Sequence, residues 1–382
     1  MEKEFHSKLP HVGESIFATM TRMANEYNAI NLSQGFPDFN CADELLERVA
    51  FYQSKGFNQY APMPGVQILR KKISDKIQKI YGKYYDPDTE ITVTAGGTQA
   101  LYTAISAVVF PGDEVIILEP AYDSYAPAVL INGGHPIYIS LTKDNFRIPW
   151  AEIEAAITNR TKLIIFNSPH NPSGSVIAAD DVKILESLIK NKNIFLISDE
   201  VYEHIIFDGL VHQSFSSSPI LSERTFVVCS FGKTYHTTGW KIGYCAAPEK
   251  LTTEFRKVHQ FIVFAVNTPI QHAYADILDN EQMYLELGKF YQAKRDFIIK
   301  KLAKSKFKFT PSKGTYFQLL DYSTISSKND FEFSEFLTKE IGVGVIPLSP
   351  FYANGSNEKI IRICFAKKEE VLEAAAEKLC KL

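Results

Sequence analysis

Several short stretches of this sequence place reactive side chains beside glycines and at the ends of apolar runs. Ser230-Phe231-Gly232-Lys233-Thr234-Tyr235-His236-Thr237-Thr238-Gly239-Trp240-Lys241-Ile242-Gly243 sets two lysines and a serine in a glycine-containing turn. An activated lysine amine attacks carbonyl carbon, although a lone lysine on a loop is far more often a solvated surface group. In Ser198-Asp199-Glu200-Val201-Tyr202 acids follow another apolar run. Alone, that pattern reads equally as a metal ligand, a helix cap or a solvated residue. Asn171-Pro172-Ser173-Gly174 by itself is a turn. Thr94-Ala95-Gly96-Gly97-Thr98-Gln99-Ala100 puts glycines between a strand and a helix. There backbone amides and the helix N-terminus favour an anion. It contains neither GK[ST] nor GxGxxG, so it is neither a P-loop nor a dinucleotide fingerprint. Arg362 stands inside the apolar Ile361-Arg362-Ile363-Cys364-Phe365. A buried guanidinium demands a partner, either a protein carboxylate or a ligand, and its planar fork suits a carboxylate bidentately.

The elements that position these residues are short β-branched runs: Ile91–Thr94, Glu114–Leu118, Pro136–Leu141, Lys162–Phe166, Ile194–Ser198, Phe226–Ser230 and Ile242–Ala246. Continuous apolar runs of this length read as strands buried on both faces. Helical patterns lie between several of them. One is Thr98–Phe110, opening on a Thr cap; another is Ala178–Lys190, with an acidic first turn. Alternating strands and helices predict an α/β unit with a mostly parallel sheet over residues 46–278. Beyond it, a long charged helix (Gln282–Lys304), strands near Thr315–Leu320 and Ile360–Ile363 and a last helix near Lys368–Leu382 predict a smaller α+β domain, 279–382. Residues 1–45 are too few to fold alone and are expected to pack with the small domain.

The chain has 382 residues, 45% hydrophobic and 22% charged, which is ordinary for a soluble protein of about two domains. A net charge of -3 offers no basic field for nucleic acid. The longest apolar stretches run about 6 to 10 residues, short of the roughly 20 of a membrane-spanning helix. The five cysteines form no CxxC pair, and no metal-ligand cluster is expected. Reduced thiols, and an N-terminus with acidic residues and no apolar core, predict a cytoplasmic protein.

Taken in order, the motifs resemble those of the class-I pyridoxal-phosphate (PLP) aminotransferases of fold type I, from Gly35 to Arg362. The resemblance implies a mostly parallel seven-stranded sheet in the large domain. It implies that Lys233 carries PLP as a Schiff base, that Asp199 pairs with the pyridine nitrogen, and that Tyr202 and Asn171 bond the 3-oxygen. Gly97, Thr98, Ser230 and Lys241 would take the phosphate; many members have arginine at the position of Lys241. Tyr122 would stack on the ring. The Gly35 backbone, Asn171 and Arg362 would take the substrate carboxylate, beside Phe17. Tyr60, in Asn58-Gln59-Tyr60-Ala61-Pro62, would reach the phosphate of the second subunit of a homodimer. His170 is read as structural.

The segments are most similar to the methionine aminotransferase branch, then to the glutamine transaminase K and kynurenine aminotransferase branch. No second arginine is evident for a distal carboxylate, and Phe17, Phe36, Tyr60 and Phe264 are aromatic. The expectation is ping-pong transfer from methionine, and also aromatic amino acids, to a 2-oxo acid. Its alternatives are a kynurenine- or glutamine-type enzyme with cysteine-S-conjugate β-lyase activity, and a non-catalytic effector-binding module. Against the last, no helix-turn-helix precedes Gly35.

Overall fold

The computed structural model describes residues 6–382; Met1–Phe5, the start of the N-terminal segment, lie outside the described residues. A seven-stranded sheet runs in the order Ile91–Thr94, Gly243–Ala246, Thr225–Ser230, Phe195–Asp199, Thr161–Asn167, Glu114–Glu119, His135–Ser140. Gly243–Ala246 is antiparallel to both neighbours and the other pairs are parallel. These are the seven runs read from the sequence, displaced by at most one residue at an end.

Alternation explains why the runs are apolar throughout. Along Glu114–Glu119, Val115 and Ile117 join a core with the helix Gly96–Val108 on one face. Ile116 and Leu118 join a second core with the helix Ala179–Ile189 on the other. Successive side chains point to opposite faces, and both faces are covered. Each fully buried Ile, Leu or Val contributes roughly 1.5–3 kcal/mol as an upper estimate.

The parallel register also aligns the site. Asn167 and Asp199 face each other at the carboxyl ends of adjacent strands. Thr94, Gly243 and Ser230 form the corresponding row on the antiparallel side. Ligands of open α/β sheets bind beyond such carboxyl ends.

A second, antiparallel sheet joins Ile346–Pro347, Ile360–Cys364 and Phe317–Asp321, with Arg362 opposite Leu319. Its core takes Ile298 and Leu302 from the helix Leu287–Leu302 and Leu372 and Leu379 from the helix Glu369–Leu379. Ile30–Asn31 pairs in parallel with Val343–Gly344. The helix Ile16–Glu26, capped by Ser15, buries Met20 against Ile346, Leu348 and Phe351.

Two expectations are corrected. The helix expected at Thr98 begins at Gly96, and Thr98 is not its cap. The side chain of Gln99 accepts from Ala95 N at 2.9 Å instead, which frees the Thr98 hydroxyl for Tyr122, 3.3 Å away. The long helix Gln282–Lys304 is two helices, Gln282–Leu285 and Leu287–Leu302. The break precedes Gly288, where an added Cβ would lie 2.7 Å from the Ile206 carbonyl.

Candidate active site

Asp199 ends its strand and is buried. Its Oδ2 accepts from the Tyr125 hydroxyl at 2.6 Å and its Oδ1 from Val201 N at 3.3 Å. Burial pushes its carboxyl up to about 6, although the Tyr125 hydrogen bond and the nearby Lys233 pull it down. Asn167 fixes the loop beside it. Its Nδ2 donates to Asp199 O at 2.8 Å, and its Oδ1 accepts from Asn171 N at 2.8 Å. That second bond aims the Asn171 side chain into the cleft. Tyr202, three residues after Asp199, is buried edge-on against Tyr316, with ring centres 5.2 Å apart.

Lys233 lies in the short helix Phe231–Thr234 directly after the strand Thr225–Ser230. Its Nζ donates to Tyr316 Oη at 2.9 Å and Gly35 O at 3.2 Å. Burial brings the amine down to about 8, with the Arg362 and Lys241 charges acting in the same direction. At neutral pH a useful fraction is therefore uncharged and nucleophilic.

Beside it the chain packs tightly enough to bring backbone amides to an anion. Gly96 has φ +79, and a Cβ there would lie 3.4 Å from Lys241 Cε and Nζ; a Cβ on Gly97 would lie 2.9 Å from Val201 Cγ1. Lys241 has a left-handed backbone, φ 54, that turns its side chain to this helix N-terminus.

Arg362 arrives from the smaller sheet and is 1% exposed. It donates to Asn171 Oδ1 at 2.6 Å and Ser33 O at 3.4 Å, while its Nε has no partner. Its guanidinium lies 3.8 Å from the Phe317 ring centre, 5.2 Å from Phe17 and 5.3 Å from Phe351. No protein carboxylate pairs with it among the described residues, so the first of its two possible partners is excluded. Burial lowers it to about 10, and a ligand carboxylate would offset that cost.

These side chains line one pocket of about 270 Å³. It brings together Phe17, Gly35, Phe36, Gly97, Thr98, Tyr122, Asn171, Asp199, Tyr202, Ser230, Lys233, Lys241 and Arg362, all singled out in the sequence. Tyr60 and Phe264 are outside it in this chain. They pack edge-on at 5.1 Å on the surface, and Tyr60 is 82% exposed. His170 is buried with Nδ1 2.6 Å from Ser173 Oγ, and burial lowers it to about 4, so it is neutral and structural. Sequence reading assigned nothing to Tyr125, Asn167, Tyr316 or Phe317. Asn167 had a visible signal, since it ends a strand beside an Asn-Pro turn; the tyrosines resemble core residues until the chain is folded.

The fold and this pocket define an aminotransferase of the PLP-dependent kind. The class I and II aminotransferase family matches residues 27–379, and the chain belongs to it. It is 51% identical over 377 residues to the methionine aminotransferase of Escherichia coli, covering 98% of each chain. A crystal structure from E. coli, identified with a methionine aminotransferase function, superposes with TM-score 0.97 at 50% identity over 100% of both chains. The kynurenine–oxoglutarate transaminase of Dictyostelium discoideum is 34% identical, covering 97% of this chain and 94% of its own.

Members of this family use PLP, and the residues present fit it. A glycine-lined helix N-terminus with Lys241 suits a phosphate, a buried carboxylate suits a pyridinium, and a lysine with a lowered pKa suits an aldehyde. The orphaned Arg362 Nε suits the carboxylate of an amino acid. No helix among the described residues is long and apolar enough to cross a membrane.

Proposed function

We propose that this aminotransferase takes the amino group of methionine, and of aromatic amino acids, and passes it to a 2-oxo acid by a ping-pong mechanism. The observation that carries this reading is the cation inventory of the pocket. Lys233 and Lys241 belong to its cofactor end, Arg362 is the one guanidinium in its lining, and the rings of Phe17, Phe317 and Phe351 surround that guanidinium. One fork serves the α-carboxylate that every donor shares. An aromatic wall then favours an apolar side chain and gives a second carboxylate nothing to pair with. The 51% identity to a methionine aminotransferase supports the same choice.

In this reading PLP, when bound, supplies an electron sink for the charge that develops at the substrate Cα. Lys233 would hold the cofactor through its amine, and the same amine, when free, would move the proton from Cα. Gly97, Thr98, Ser230 and Lys241 hold the phosphate, and Tyr122 covers the ring. Asp199 keeps the ring nitrogen protonated, and Tyr202 and Asn171 bond the 3-oxygen. Gly35, Asn171, Arg362 and Phe17 orient the substrate.

Tyr60 completes the pocket of a second subunit, which makes the working unit a homodimer. The large domain spans 46–278 and the small one 279–382. The N-terminal segment moves with the small domain, which the pairing of Ile30–Asn31 with Val343–Gly344 supports. Five free cysteines suit a reducing cytoplasm.

The likeness to a kynurenine–oxoglutarate transaminase favours, as a second reading, kynurenine or glutamine as donor with β-lyase side chemistry. A panel of amino-acid donors against several 2-oxo acids, with added PLP, separates them. Methionine and phenylalanine should lead in kcat/KM, with aspartate at least about 100-fold behind. Aspartate as the best donor would overturn the reading, and pyruvate with ammonia from a cysteine conjugate would establish the lyase.

A further inference from the structure

Asp199 and Lys233 are held by side chains to which nothing above gives a task, and Tyr125 is the most specific of these. It opens the short helix Tyr125–Ile131, two residues beyond Asp123, and is 3% exposed. Its hydroxyl lies 2.6 Å from Asp199 Oδ2, while the other carboxylate oxygen has only the 3.3 Å bond from Val201 N. The Tyr125 bond is thus the short one that sets the rotation of the carboxylate. Tyr125 stands edge-on to Tyr122, with ring centres 5.7 Å apart at 81°. One buried tyrosine therefore touches both the acid and the aromatic plane of the pocket.

We propose that Tyr125 is a positioning residue. By donating to Asp199 Oδ2 it fixes the rotation of the carboxylate and weakens it as a base, so that a proton shared with the ring nitrogen would stay on that nitrogen. The inference rests on the reading that Asp199 faces that nitrogen.

The direction follows from what each group can do. A phenol donates one proton and has no reason to lose it here. Burial and the adjacent Asp199 hold the Tyr125 hydroxyl far above its ordinary range. A hydrogen bond into a carboxylate stabilises its charged form. The groups facing Asp199 are Tyr125, Tyr122, Tyr202, Lys233 and Glu200. Of these, Tyr125 and Lys233 favour the charged carboxylate and Glu200 opposes it. Lys233 acts only through its charge and donates its hydrogen bonds to Tyr316 and Gly35 instead. Tyr125 is the side chain that hydrogen-bonds the carboxylate and favours its ionised form. Without it the proton moves toward Asp199, and the ring becomes a poorer electron sink.

Tyr125→Phe keeps the ring and removes only the hydroxyl, and two measurements test it against wild type, Asp199→Asn and the double variant. The first is the thermal stability of the apoproteins from pH 5 to 8. A merely structural hydroxyl gives a pH-independent loss. A hydroxyl that tunes Asp199 gives a gap between Tyr125→Phe and wild type that widens with pH, because the buried charge loses its donor, and this widening vanishes in the Asp199→Asn background. A gap flat with pH in both backgrounds overturns the proposal. The second is the ¹⁵N chemical shift of the ring nitrogen in holoproteins loaded with ¹⁵N-labelled PLP. It should move toward the neutral-pyridine position in Tyr125→Phe, with kcat falling roughly tenfold and KM little changed. A wild-type shift in Tyr125→Phe overturns the proposal. A wild-type shift in Asp199→Asn instead overturns the placement of Asp199 against the ring, and the apoprotein result still decides what Tyr125 does to it.

Discussion

Two buried acids four residues apart, Asp199 and Glu203, are treated in opposite ways, each together with a lysine distant in sequence. Glu203 and Lys76 are both buried, with Lys76 Nζ 2.5 Å from Glu203 Oε1. Tyr81 donates to the other oxygen at 2.7 Å and Tyr244 adds a bond at 3.3 Å. Burial alone would push Glu203 up, yet Lys76, His204 and Tyr81 hold it far below the usual carboxylate range. Asp199, four residues earlier, and Lys233 form no ion pair among the described residues, only hydrogen bonds to uncharged groups. Burial moves the acid up to about 6 and the amine down to about 8, toward one another. The chain spends partners on the pair that only holds the fold. It withholds ionic partners from the pair whose charges, in the proposed function, a ligand meets. A buried charge with every valence filled is architecture, and one left wanting is a site.

The largest effect that sharpens this contrast is loss of the reactive amine. Lys233→Ala should reduce turnover by about 10³-fold or more, since in the proposed function Lys233 is both the anchor and the proton carrier. Steady-state rates with methionine, together with the visible absorbance of the purified protein, check it. Lys76→Ala should do the reverse. Leaving Glu203 buried and unpaired costs about 3–5 kcal/mol of stability, read by chemical denaturation, with kcat of the folded protein nearly unchanged. Equal catalytic losses in the two variants would erase the distinction.

Arg362→Lys comes next. It keeps the charge and loses the fork, and kcat/KM should fall roughly 10- to 100-fold, alike for methionine and phenylalanine. A changed preference between these donors, with the better one unaffected, would make Arg362 a side-chain pocket residue.

The smallest effect is on the apoprotein. Asp199 is raised from 3.8 to about 6, so its contribution to stability is present below its unfolded value and lost as pH rises through 6. Lys233 is lowered from 10.5 to about 8, so its contribution is present above its unfolded value and lost as pH falls through 8. Both costs coincide between pH 6 and 8. Lys233→Met should therefore stabilise the apoprotein at pH 7, by on the order of 1–2 kcal/mol after screening by solvent in the pocket, with the gain shrinking toward pH 10. Urea denaturation at the two pH values reads it, and a gain that persists at pH 10 would contradict it.

Six of the seven strands were legible because double-sided burial writes itself as uninterrupted apolar runs, as in Glu-Val-Ile-Ile-Leu before Pro120; the edge strand His135–Ser140, expected to be buried on both faces, buries only Ile139 because no strand covers its outer side. The cofactor side was legible for a related reason. Asp199, Asn171 and Lys233 follow strand ends, so local sequence places them. The two-residue strands Ile30–Asn31, Val343–Gly344 and Ile346–Pro347 were not, since two residues show no period. Nor was Tyr316. It reaches Lys233 and Gly35 only because Phe317–Asp321 docks its sheet across the cleft, a contact separated by 83 residues on one side and 281 on the other. The partner of Arg362 was half legible. Burial of the cation was readable, but that Asn171 and three aromatic rings, with no carboxylate, would surround it was not.

The contrast between the two lysines can be read from a single sample. The holoprotein, reduced with borohydride so that PLP is fixed to whichever amine holds it, is digested and its peptides are weighed by mass spectrometry. The account predicts one stoichiometric pyridoxyl label, on Lys233, with Lys76 and Lys241 unmodified. A stoichiometric label on Lys241, on Lys76 or on any other lysine, with Lys233 free, would contradict it.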